Sequence, residues 1–173
     1  MREDTAVLTI EAELESLIAS LPHLPPEEKT KVLKKLASRV ELGEKDKARN
    51  EFMEFTTQVW PDFIGGRHHT KMAKAFERVA SGECKRLIIN MPPRHTKSEF
   101  ASYLLPAWFL GKYPNKKVIQ CSNTAELAVG FGRKVRNLVD SDEYKDLFPE
   151  LEPRADSKAA GRWNTSKNGD YFA

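Results

Sequence analysis

Eight residues constrain this chain more than any others: Met91-Pro-Pro-Arg-His-Thr-Lys97-Ser98. They stand between an apolar run, Arg86-Leu-Ile-Ile-Asn-Met91, and a stretch from Lys97 to Leu110 with apolar residues at helical spacing. A buried strand, a loop ending in Lys-Ser and a helix opening at that lysine form the frame of the phosphate-binding pattern G-x-x-x-x-G-K-[ST]. Both glycines of the pattern are missing, with Met91 at the first position and Thr96 at the second. The physical requirements are less strict than the pattern. Backbone N–H groups at a helix N-terminus must face the phosphates, a lysine must reach the outer phosphates, and a hydroxyl must be free to ligate Mg²⁺. Tandem prolines stiffen the loop entry. Thr96 fits less well, because close backbone approach favours glycine.

The elements around the loop follow from periodicity. Ile10, Leu14, Leu17, Ile18 and Leu21 predict a first helix. Pro26-Glu-Glu opens a second, with Val32, Leu33, Leu36, Val40 and Leu42 on one face. Gly43 either ends that helix or is passed as it runs on to Asn50. Thr70–Ala80 reads as a helix with Met72, Ala75, Phe76 and Val79 inward and Gly82 as its stop. Pro106 should kink or shorten the helix from Lys97. Lys117–Ser122 reads as the next strand and Thr124–Val139 as a helix capped by Asn123 or Thr124. Asp140–Ala173 reads as loop-rich, with Tyr171-Phe-Ala beginning a strand. Strand, loop, helix, strand, helix is the order of a βαβ unit, so the expected fold is α/β: a P-loop NTPase with a parallel sheet flanked by helices. The expected division is an N-terminal helical extension at 1–50 and the ATPase portion at 51–173.

Charge sharpens the reading. The net charge is +3, yet residues 67–136 hold fourteen Lys and Arg against four Glu and no Asp. A basic middle points to phosphate-bearing partners, either nucleotide or nucleic acid. No apolar run approaches the roughly 20 residues of a membrane span, and the N-terminus, Met1-Arg-Glu-Asp, lacks a signal peptide's apolar stretch. Cys84 and Cys121 are read as reduced, Cys121 as a small core residue, and their spacing does not suit zinc.

The segments RLIINMPPRHTKSEF, PAWFLGKYP, KVIQCSNT and ELAVGFGRKVRNLV, in this order and spacing, resemble the ATPase domain of tailed-phage terminase large subunits. The His68-His69 pair and the helix ending at Gly82 fit that family's approach to the loop. The resemblance covers roughly residues 55–173 and departs from the family at Thr96, where glycine is usual. It implies an ATPase that drives double-stranded DNA into a viral capsid in the cytoplasm of an infected host cell. Its implied partners are DNA, a portal and a small terminase subunit, and its implied assembly is a ring of identical subunits. ATP and Mg²⁺ are the implied cofactors. Lys97 and Arg94 are the implied catalytic residues, Ser98 the metal ligand, and Pro93, Arg94, His95, Thr96, Lys97, Ser98 and His69 the nucleotide-binding set. His68 and His69, with Trp60 and Phe63, either lie near the adenine or cap and pack a helix. Ser122, Asn123 and Thr124 would face the ligand crevice. Arg133, Lys134 and Arg136 either meet DNA phosphates or form a solvated helix face.

One component of such an ATPase is not found: an apolar strand ending in Asp or Asp-Glu, which completes the metal shell and polarises water. Asp140, Asp142 and Asp170 are the nearest candidates, and none follows a suitable strand. The chain is therefore expected to be the N-terminal piece of a longer protein, which would also hold a nuclease domain, and to be inactive alone. A helicase-like nucleic-acid ATPase and a non-catalytic nucleotide-binding module are the alternatives.

Overall fold

The computed structural model describes Ala19, Pro22 and residues 24–173, leaving aside the side chains of residues 155–158. The first expected helix, Ile10–Leu21, lies outside the described residues, Ala19 excepted. The chain divides into two units, 1–45 and 46–173. Helix α1 (Pro26–Asn50) starts at the expected proline, with Glu27 and Glu28 in its first turn, and runs on past Gly43. Leu33, Val40 and Leu42 remain exposed on it.

In the larger unit α2 is Phe52–Val59, α3 Arg67–Ala80, α4 Leu105–Lys112, α5 Ala125–Val139 and α6 Asp142–Leu147. The strands are β1 (Lys117–Ile119), β2 (Pro153–Ala159), β3 (Arg162–Thr165) and β4 (Asp170–Phe172). Local chemistry accounts for the helix boundaries. Glu77 on α3 accepts the free N–H of Phe52 at the start of α2, 2.8 Å away. Gly82, at φ 82°, turns the chain out of α3. Thr124 Oγ1 accepts the Leu127 N–H at the start of α5, as one of the two expected caps would.

The core is an aromatic assembly under the loop's helix. Phe52 lies 5.3 Å from Phe76, 5.4 Å from Phe100 and 5.6 Å from Trp108 by ring centroids, all edge to face. Trp108 donates to the Ala48 carbonyl at 3.2 Å. Tyr144 donates to the Ala107 carbonyl at 2.8 Å, and burial raises its phenol far above the ordinary tyrosine range.

The expected parallel sheet of a P-loop NTPase does not form, and the fold class is corrected accordingly. The described residues are mostly helical, with a four-stranded mixed sheet of order β1-β4-β3-β2. Only β1 and β4 run parallel, with Lys117, Val118 and Ile119 opposite Asp170, Tyr171 and Phe172. β3 pairs antiparallel with both β4 and β2. Chain geometry explains the mixture. Short turns at Ala160-Gly161 and Ser166–Gly169 join β2, β3 and β4, and a short turn can connect only antiparallel neighbours. The path from β1 to β4 passes through α5 and α6, long enough for a parallel return. One row of side chains, Val118, Tyr171 and Trp163, faces the core, and Tyr171 stacks on Trp163 at 5.2 Å.

The buried strand expected at 86–91 is also corrected. The run joins no ladder, and Ile88 is 86% exposed. β-branched residues favour a strand only when a neighbour supplies ladder hydrogen bonds, and among the described residues none pairs with it. Ile89 and Met91 alone pack partly against the core. Two smaller corrections follow. Asp140–Ala173, read as loop-rich, contains α6 and three strands. Cys121 is exposed, because β1 ends at Ile119 and leaves it beyond the ladder. Among the described residues no helix is long and apolar enough to cross a membrane.

Candidate functional site

The loop from Pro93 to Ser98 has an unusual backbone. Arg94 has φ 62° and Thr96 φ 55°, two of only three non-glycine residues in the left-handed region among the described residues. His95 between them does not share it. A left-handed residue costs roughly 1–3 kcal/mol when it is not glycine, and such strain concentrates at functional sites. Alternation of φ sign turns successive N–H groups to one side and shapes an anion-binding concavity. The N–H groups of Arg94, His95 and Thr96 have no backbone acceptor among the described residues. The helix begins at Lys97, so the next N–H groups belong to its first turn and lack intrahelical partners.

The side chains complete the picture. Lys97 Nζ donates to the Met91 carbonyl at 3.3 Å and so crosses from the end of the loop to its beginning. Ser98 is exposed at the first turn of the helix, and Arg94 is exposed at the loop tip. His95 is held locally, its Nδ1 donating to the Pro93 carbonyl at 2.8 Å. Lys97 and Ser98 also wall an open, mainly apolar cleft of about 460 Å³, which Val79, Leu87 and Ile89 line from the other side.

After Ser98 the helix widens into π-helical turns over Glu99–Leu104 before continuing as α4. Pro106 lies just beyond; it has no N–H, and its ring crowds the carbonyl four residues back. The wider turns still seat Phe100 and Leu104 fully in the core. Glu99 pairs with Lys134 of α5 at 3.1 Å, an exposed contact that ties α5 to the residue after Ser98. Sequence reasoning did not single out Glu99.

His69 is the histidine that meets the loop. It is buried on α3, and its ring sits 4.8 Å from Phe63, 5.0 Å from Phe100 and 3.8 Å from His68. Its Nδ1 accepts the Gly66 N–H at 3.0 Å, a cap from the third helical position back to the residue before the helix. Its Nε2 meets Thr96 Oγ1. With both nitrogens engaged the ring has no polar edge left for a base, and Phe63 is spent on packing the same ring. Of the two sequence readings, capping and packing is the one the geometry realises for His69. His68 is exposed and stands 5.8 Å from His95.

Burial holds the His69 pKa below its ordinary 6.5, and the nearby His68 and His95 push the same way. A depressed pKa means that the unfolded chain takes up the proton more readily, so His69 stabilises fully above pH ~6.5, with loss as pH falls toward the folded-state value. The expected result is a urea midpoint that declines below pH 6.5 in the wild type and declines less in His69→Gln. Identical pH profiles would contradict this assignment.

Of the remaining residues singled out in the sequence, Lys134 reaches the loop's helix through Glu99. Ser122 and Asn123 are exposed beyond β1, and Thr124 is used as the α5 cap. Lys134 is engaged by Glu99 and lies over Tyr103 and Phe131, Arg136 donates to Asn137, and Arg133 is exposed. Asp140 pairs with Lys145 at 2.8 Å. Asp170 pairs with Lys117 at 3.0 Å, which with Asn164 holds its carboxyl below the usual range. Asp142 lies in the first turn of α6. Among the described residues no group of His, Cys, Asp and Glu is arranged to hold a metal ion. No family model matches this chain, and neither the curated proteins nor the solved structures provide a match.

Proposed function

We propose that Pro93–Ser98 is the phosphate-binding loop of an ATP-dependent DNA-packaging subunit of the terminase type. The observation on which this rests is the pair of left-handed residues, Arg94 and Thr96, leading directly into a helix that starts at Lys97. The two strained non-glycine residues lie within four positions of a lysine and an exposed hydroxyl, and Arg94 faces solvent, so packing does not explain its conformation. A ligand would give them a purpose: N–H groups without backbone acceptors are available to an anion. MgATP supplies the phosphoanhydride bond whose cleavage would power translocation. In this reading the backbone of residues 94–98 cradles the phosphates, Lys97 neutralises their charge, Arg94 lies against the outermost phosphate, and Ser98 ligates the metal. Asp140 and Asp170, two of the three candidates for the acidic motif, are held in ion pairs of their own. The proposal for this chain alone is therefore nucleotide binding without turnover.

DNA enters on charge and on the order of the sequence motifs. The surplus of cations over residues 67–136 fits a duplex gripped by its phosphates, with Arg133 exposed on α5 among them. A paired titration tests the whole reading. MgATP is expected to bind well ahead of MgAMP, because the loop recognises the outer phosphates. Duplex DNA is expected to bind without sequence preference, and its affinity should fall steeply with salt as counterions are released. Equal affinity for the two nucleotides would remove the loop assignment, and DNA binding indifferent to salt would remove the packaging one.

A further inference from the structure

We propose that His69 is the positioning residue of the loop: it holds Thr96 in the left-handed conformation that glycine would adopt unaided. The inference rests on the phosphate-binding reading above and assigns a task within that site to a residue that touches no ligand. Three observations on separate elements meet here. Thr96 has φ 55°, a conformation that a β-branched residue disfavours. Its hydroxyl is bonded to His69 Nε2, across 27 residues of sequence. The His69 ring is fixed from both sides, by Phe63 and His68 and by Phe100 of the loop's own helix.

The tautomer follows from the hydrogen bonds. Gly66 N–H can only donate, so Nδ1 must be the bare nitrogen of a neutral ring. The proton is then on Nε2, and it is donated to Thr96 Oγ1. This bond ties the threonine side chain to α3, while the Thr96 N–H has no backbone acceptor among the described residues. The consequence is specific: the loop tolerates threonine at this position because α3 supplies the restraint. A glycine there would not need it.

The test is a double-mutant cycle of His69→Ala and Thr96→Gly, with MgATP affinity read by calorimetry. His69→Ala is expected to weaken binding by about three- to tenfold when Thr96 is present, the worth of one hydrogen bond. In the Thr96→Gly background the same substitution is expected to change affinity by less than about twofold, since the two effects are coupled through one contact. His69→Gln, whose amide can still donate to Thr96, is expected to recover part of the loss. An equal factor in both backgrounds would overturn the inference, because a purely structural role does not depend on residue 96. The backbone of Thr96, read from its Cα chemical shift without nucleotide, separates the two claims. If Thr96 stays left-handed in His69→Ala, the inference fails even where MgATP binds. If it leaves that conformation while the wild type binds no MgATP, the positioning stands and the phosphate reading fails.

Discussion

Phe100→Ala is expected to destabilise the larger unit by about 3–5 kcal/mol, the usual cost of deleting a buried phenylalanine. Phe100 has no exposed surface, and it meets Phe52 at 5.4 Å, Phe63 at 5.3 Å and His69 at 5.0 Å. Those rings come from α2, from the segment before α3 and from α3 itself, so no single neighbour can move in to fill the space. Against a total stability of about 5–15 kcal/mol for a domain, the loss is large. It reaches the site too, because Phe100 stands three residues after Lys97 in one continuous helix. The urea midpoint should fall steeply with little change in slope. Phe100→Leu should cost much less. A Phe100→Ala loss under about 1 kcal/mol would mean that Phe100 is not the anchor of the loop's helix.

Lys97→Ala is expected to act on the ligand and to spare the fold. Its Nζ makes one hydrogen bond, to the Met91 carbonyl, at a half-buried position. Losing that contact costs about 1 kcal/mol. With nucleotide bound, the ammonium would face several phosphate oxygens, and charged hydrogen bonds are worth about 1.5–3 kcal/mol each. MgATP affinity should therefore fall at least about tenfold, at about 1.4 kcal/mol per factor of ten. Calorimetry beside a urea melt separates the two effects. Unchanged affinity with an unchanged melt would sink the assignment of Lys97.

These residues show which parts of the molecule a sequence discloses. α3, α5 and the helix from Lys97 are legible because a 3.6-residue repeat, a cap and a stop are local signals. Gly82 and Thr124 do in the structure what their residue types suggest. The sheet is not legible to the same degree, because pairing is a long-range property. Arg86–Met91 has a strand's composition but no ladder, while β1 finds its parallel partner some fifty residues away in β4. The β3–β4 hairpin does carry a local sign: Asn168-Gly169 between two short runs, with Asn168 at φ 65°. At the site, Arg94, Thr96, Lys97 and Ser98 were legible as a segment, since one contiguous loop holds them. The grip of His69 on Thr96 was not, because it depends on how α3 and the loop's helix pack, and no spacing encodes that.

The central claim is that the backbone of residues 94–98 takes up the phosphates. Titration of MgATP into the ¹⁵N-labelled protein tests it most directly, because amide resonances report on the N–H groups themselves. The predicted result is a set of saturable shifts concentrated on Arg94, His95, Thr96, Lys97 and Ser98, repeated with inorganic triphosphate and absent with adenosine. Saturable binding that leaves these five amides unmoved, or equal shifts with adenosine, would contradict it.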